Sequence, residues 1–253
     1  MIAESTVFLA SSAVLGVLAL SYAVWTSRLP ASVRRYGGAV VVGTASMSVA
    51  YLLMAEGFIT VQTTGREQSV ARFLGYTVAW AMFAYLLGAV SNTGRRYTAA
   101  LLVSILWMQW AALVSWIVAG TAETLVSVSM VAALAAIVSL LFGQFTRRAR
   151  QTTGSRFLLF SKLKYLTVLG WTGLVTAAVV SEQNLALVDM FVGQAMVTYI
   201  DVVLLAGLGG IVLRHVDALE ETAAGVVDGG DIDGNGGHDD GGSSIDSEPG
   251  VAD

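Results

Sequence analysis

Residues 190–213 read MFVGQAMVTYIDVVLLAGLGGIVL, a run of apolar and small residues interrupted by one charge, Asp201. A helix of about 20 residues crosses the roughly 30 Å of hydrocarbon in a bilayer, so this run is long enough to span it. A charge near the centre of such a helix is costly in lipid and must face a partner or water inside a bundle. The run therefore predicts one wall of a larger membrane protein. Six uncharged runs precede it, at residues 5–27, 36–55, 73–94, 97–122, 124–146 and 165–181. None shows the strict alternation, over segments of about 10 residues, that a membrane barrel requires. The expected fold is all-α, a seven-transmembrane-helix bundle.

Composition agrees with this reading. Of 253 residues, 55% are hydrophobic and 13% charged, against roughly 25% charged in a soluble domain. The first run has no basic residue before it and exceeds the roughly 7–15 residues of a signal-peptide core, so it is read as a retained span. Among the 14 lysines and arginines, all but Arg66 and Arg72 fall in connections that alternate spans place on one side. By the positive-inside rule that side is cytoplasmic, which puts the N-terminus outside and the C-terminal tail in the cytoplasm of a multi-pass cell-membrane protein. The basic segment between the fifth and sixth runs is explained by topology, and no nucleic acid is expected as a partner. The chain has no cysteine, and His215 and His238 both follow the last span. With no metal-ligand cluster, nucleophile and base pair or phosphate loop, an enzyme is not expected, and no metal site is assigned.

From Asp217 onward the chain becomes rich in Gly, Asp and Ser without a basic residue. Residues 221–253 are expected to form a disordered acidic tail of the kind carried by proteins adapted to high salt, as in a halophilic archaeon. Asp231, Asp233, Asn235 and Gly236 match the first half of an EF-hand loop, but Gly242 stands where a bidentate glutamate is needed, so a calcium site is not predicted.

The segment TYIDVVLLAGLGGIVLR at residues 198–214 resembles the seventh helix of the microbial (archaeal, type I) rhodopsins. There an aspartate is followed four residues later by the retinal lysine and then by Gly-x-Gly. Asp201, Gly207 and Gly209 fit that pattern, and Leu205 stands at the lysine position. The RRY at 34–36, AYLLMA at 50–55, KLKYLTV at 162–168 and the terminal GVAD are similar to the sensory rhodopsin II branch. The resemblance covers residues 1–220 as an opsin-like membrane domain. Against the family's third helix, ARFLGYTVAWAMF at 71–83 keeps the arginine as Arg72. It places Gly75 at the counter-ion carboxylate, Tyr76 at the adjoining tryptophan and Trp80 in the Thr-Thr-Pro stretch. In the sixth span Trp171 matches a pocket tryptophan, while Leu174, Val175 and Ala178 replace the family's Tyr, Pro and Trp.

These departures carry chemical consequences. A retinal Schiff base needs a primary amine, and the only lysines, Lys162 and Lys164, stand at the start of the sixth span. Without a protonated Schiff base, a carboxylate at Gly75 would be an uncompensated buried charge. The expectation is a lysine-less opsin without a covalent cofactor, and not a light-driven pump. Tyr76, Trp80, Trp171, Leu174 and Leu205 would line a vestigial retinal pocket. Trp80 and Leu205 would fill it, while Leu174, Val175 and Ala178 would open it. Arg72 and Asp201 are expected to form an intramembrane ion pair. Gly170, Gly173, Gly207 and Gly209 are expected to permit close helix packing.

Two classes of function remain. One is a sensory or scaffold protein acting in signal transduction through a membrane partner, such as the two-helix transducer that sensory members dock on their sixth and seventh helices. Tyr199 would be the partner contact, although packing inside its own bundle is an equal alternative at this point. The other is a photoreceptor holding retinal or a carotenoid noncovalently. Membrane lipid is a necessary partner in either case, and a homo-oligomer is compatible with both.

Overall fold

Seven long apolar segments in one chain leave little choice of architecture, because every backbone N–H and C=O in hydrocarbon needs an internal partner. The computed structural model describes residues 4–63, 66–181 and 185–230. Its spans are α1 (Glu4–Ser27), α2 (Arg34–Ala55), α3 (Ala71–Val90), α4 (Arg95–Ser115), α5 (Thr121–Ala149), α6 (Gly154–Val180) and α7 (Met190–Arg214). Large apolar side chains such as Leu20, Val131 and Leu169 stay exposed around the rim, as a lipid-facing surface requires. The centre is filled by Tyr36, Tyr51, Trp80, Phe83, Phe145 and Phe160.

Sequential helices pack as neighbours, and α7 closes the bundle by packing on α1, α2 and α6. Gly209 is where α1 comes closest. A Cβ there would lie 2.1 Å from the Tyr22 ring, whose hydroxyl donates to the Ala206 carbonyl at 3.0 Å. Gly170, Gly173 and Gly207 lie similarly close to Leu204, Ile200 and Leu166, as expected.

Charge positions misjudge some helix ends. The sixth helix begins at Gly154, well before the uncharged run, because a charged side chain does not end a helix that has left the hydrocarbon. Its Arg156 is buried and donates to the carbonyls of Val90 at 3.2 Å and Ala89 at 3.1 Å in the last turn of α3, where helix carbonyls lack a full set of intrahelical donors. Within α5, residues Leu140–Phe145 form a π-helical turn. Between α2 and α3 stands a small addition to an otherwise helical fold. Strands β1 (Thr60–Thr63) and β2 (Arg66–Ser69) pair antiparallel with Thr60 opposite Ser69.

Of the tail expected to be disordered over residues 221–253, the first ten residues instead continue a further helix, α8 (Val216–Gly230), and residues 231–253 lie outside the described residues. Ala218, Leu219, Thr222 and Ala223 are buried against α6 and α3. The basic end of the bundle offers an apolar surface that a tail poor in large residues can still cover with a single helical face. Glu221 accepts from Ser155 Oγ at 2.5 Å and from Thr153 Oγ1. These hydrogen bonds, with Arg156 nearby, hold its carboxyl below the usual range. The EF-hand-like residues Asp231 to Gly236 lie outside the described residues.

Candidate functional site

Asp201 sits midway along α7 and is 1% exposed. A carboxylate there needs donors, and it takes them from the neighbouring helices. Tyr51 of α2 donates to Oδ2 at 2.6 Å. Tyr76 of α3 approaches Oδ1 at 2.8 Å and Oδ2 at 2.9 Å. Phe8 of α1 packs against the Tyr51 ring, centroids 6.1 Å apart. One buried acid thus ties α2, α3 and α7 together.

The expected contact between Arg72 and Asp201 is not made. Arg72 is buried and donates from Nη1 to Gln194 Oε1 at 2.7 Å. Its guanidinium lies 5.6 Å from the Tyr51 ring centroid and 5.9 Å from that of Phe8. Nε and Nη2 have no hydrogen-bond partner among the described residues. The reason is axial position. Arg72 stands one turn before Tyr76 on α3, and Gln194 two turns before Asp201 on α7, roughly 10 Å nearer the end that carries the β-hairpin. The two charges share the bundle interior with Tyr51 between them.

Gly75 faces α2. A Cβ there would lie 2.6 Å from Ala50 Cβ and 2.9 Å from Met47 Sδ, while its carbonyl accepts from Ser46 Oγ at 3.2 Å. No side chain fits without separating the two helices.

From Val197, one turn before Asp201, a cavity of about 190 Å³ runs toward the hairpin end among α3, α4, α5, α6 and α7. Tyr76, Trp80, Trp171 and Leu174 all line it, with Val175 and Ala178. Trp80 stacks on Trp171 at 5.0 Å and 24°, which fills part of the interior, while the small α6 residues leave the rest open. Leu205 is buried but lies outside that lining. No lysine stands on α7. Lys162 Nζ is 2.9 Å from His215 Nε2 at the basic end. Lys164 is buried, with Nζ 3.2 Å from Thr146 Oγ1 and 4.7 Å from the Phe142 ring centroid.

Tyr199 is 70% exposed, so it does not pack inside its own bundle. It lies two residues from Asp201, about 200° around the helix, and so points away from the bundle. Sequence reasoning missed Tyr51, Gln109 and Gln194. Polar side chains inside uncharged spans were the available signal. Gln109 is buried, its Nε2 donating to the Phe73 carbonyl at 2.8 Å and its Oε1 without a partner among the described residues.

Comparison with known proteins fits this architecture. The family model described as bacteriorhodopsin-like protein matches residues 2–219. Sensory rhodopsin-2 of Natronomonas pharaonis is 25% identical over 207 residues, covering 80% of this chain and 87% of that protein. Two solved structures share the fold. Thermophilic rhodopsin from Rubrobacter xylanophilus superposes with a TM-score of 0.81 at 18% identity, over 88% of this chain and 100% of that one. A light-driven proton pump from Leptosphaeria maculans gives 0.77 at 15%, over 88% and 98%. The chain belongs to the bacteriorhodopsin-like protein family, and the resemblance read from its last span is borne out.

Proposed function

We propose that this member of the bacteriorhodopsin-like family works without a covalently held chromophore, as a sensory or scaffold protein acting through a membrane partner on α6 and α7. The observation that carries the reading is Leu205, a buried aliphatic side chain one turn beyond Asp201 on a helix without an amine. Retinal cannot form an imine there. Asp201 is engaged by two phenols, and α3 contains no acidic residue, so the third helix supplies neither an acceptor nor a donor carboxylate for a proton pump. The similarity to a sensory rhodopsin supports a signalling role, and no catalytic one is assigned. The distribution of basic residues supports a cytoplasmic position for the end carrying α8.

The exposed Tyr199 supports the partner. A phenol on the lipid-facing side of a span gains when it hydrogen-bonds across to another helix, by about 0.6–2 kcal/mol. A Tyr199→Phe variant is expected to lose co-purification of a two-helix membrane partner while keeping its own folding. Unchanged co-purification would remove Tyr199 from the interface.

The reading as a whole is tested by the visible spectrum of the purified protein after incubation with all-trans retinal, with and without borohydride. The expected result is no band shifted from free retinal and no retinal fixed to the chain. A shifted band that extracts into organic solvent would instead establish a noncovalent photoreceptor of retinal or carotenoid type, for which the Trp80–Trp171 cavity is the candidate site. A band that borohydride fixes to the protein would overturn the proposal.

A further inference from the structure

Among the described residues Arg72 has the most buried polar atoms without a hydrogen-bond partner. It is 6% exposed, one nitrogen donates to Gln194, and the other two have no hydrogen-bond partner among the described residues. Asp201, whose carboxylate accepts from Tyr51 and Tyr76, offsets the charge only through space and gives these nitrogens no acceptor. A buried guanidinium is most favourably completed by a carboxylate, whose two oxygens match its planar fork. Arg72 and Gln194 line the cavity of about 190 Å³, and so does Gln109, whose buried Oε1 is also unpartnered.

The rest of that cavity is mostly apolar, with Gln68, Ser181 and Asp189 also in its lining. From Arg72 to Trp80 it follows α3 for eight residues, roughly 12 Å, passing Tyr76 and ending at the Trp80–Trp171 stack. A dry cavity of about 150 Å³ accommodates benzene, so this space suits a slightly larger, elongated body. A bare halide or acetate would meet the charge and leave the apolar length unfilled. The carboxylate that lines the rim, Asp189, is exposed and accepts from the Val192 amide at 2.8 Å. Water screens it far more than the buried arginine. Packing between α5 and α6 is concentrated at Thr146–Ala149, away from the cavity, while Met130 of α5 and Ala178 of α6 both line it. Membrane-borne molecules thus have a thinly packed seam beside the site.

We infer that this cavity binds an elongated amphipathic monocarboxylate, its acid on the Arg72 guanidinium and its apolar body along Tyr76 and the Trp80–Trp171 stack. The inference rests on the reading that no covalent chromophore occupies the bundle. It makes the protein a receptor for a chemical signal.

The test is a titration of the purified full chain, in neutral detergent, with octanoate and with octanol as its uncharged counterpart. It is read by tryptophan fluorescence and by the melting temperature. Octanoate is expected to saturate and to bind at least about tenfold more tightly than octanol, since a charge-assisted pair to a buried arginine contributes about one decade or more. Arg72→Gln should bring octanoate down to the level of octanol. Val175→Trp, which leaves Arg72 intact and fills the cavity, should abolish binding of both while retaining a cooperative melt. Equal affinity for octanoate and octanol, competition by acetate or chloride at comparable concentration, or no saturable binding would each overturn the inference. Borohydride treatment with retinal on the same preparation separates the two readings. Covalent retinal would sink the underlying one, whereas its absence together with silent octanoate would sink only this one.

Discussion

A chain carrying Gly75→Asp is expected to lose about 4 kcal/mol or more of stability, enough to prevent accumulation in the membrane. Two costs add. The new Cβ would sit 2.6 Å from Ala50 and 2.9 Å from Met47, and overpacking of this kind costs about 1–3 kcal/mol. The carboxylate would then be buried three residues from Arg72 on the same helix, and taking it out of water adds several kcal/mol even with that cation in reach. Gly75→Ala isolates the first cost and should sit between the variant and the parent chain. Unfolding in increasing fractions of denaturing detergent, followed by circular dichroism, ranks the three. If Gly75→Asp unfolds with the parent chain, the approach of α2 to α3 is looser than described and the counter-ion position is still usable.

The second large effect is expected at Asp201. Replacement by alanine leaves the Tyr51 and Tyr76 hydroxyls without their acceptor and removes the only acidic side chain within α7. Removing one member of a buried charged network costs about 3–5 kcal/mol. Asp201→Asn keeps one acceptor oxygen in place and should cost about 1–2 kcal/mol. A Tyr51→Phe background should shrink the Asp201→Ala penalty by about 0.5–3 kcal/mol, because the two changes remove the same bond. If alanine and asparagine cost the same, the carboxylate is not what joins α2, α3 and α7.

The seven spans were legible because lipid excludes charge, and that exclusion leaves its mark in linear sequence. The absence of an amine on α7 was legible for the same reason. What joins the spans was harder to read. Arg72 and Asp201 are the obvious charges to pair, yet whether they meet depends on their heights in two helices that run the same way and on polar neighbours such as Gln194 and Tyr51. Neither apolar runs nor charge counts encode those. The glycine at position 75 looked like a lost function, and only the packing of Ala50 and Met47 shows it also to be a required contact. Tyr199 was undecided in sequence because rotation about a span of uniform hydrophobicity has no apolar moment to fix it. Helix α8 was missed because its glycines and acids resemble a disordered tail, while the surface that orders it belongs to α3 and α6.

Helix α6 is 27 residues long, about 40 Å, and its two ends are held very differently. At one end Arg156 bonds to the last turn of α3, and Thr153 and Ser155 bond to Glu221 of α8. At the other end Leu174, Val175 and Ala178 border the cavity. Mechanically this is a beam held at both ends, clamped at its base by side chains and tied at its tip by backbone bonds from Leu185, Leu187 and Val188 to Val179 and Val180. Whatever occupies the cavity bears on the tip, far from the side-chain clamp.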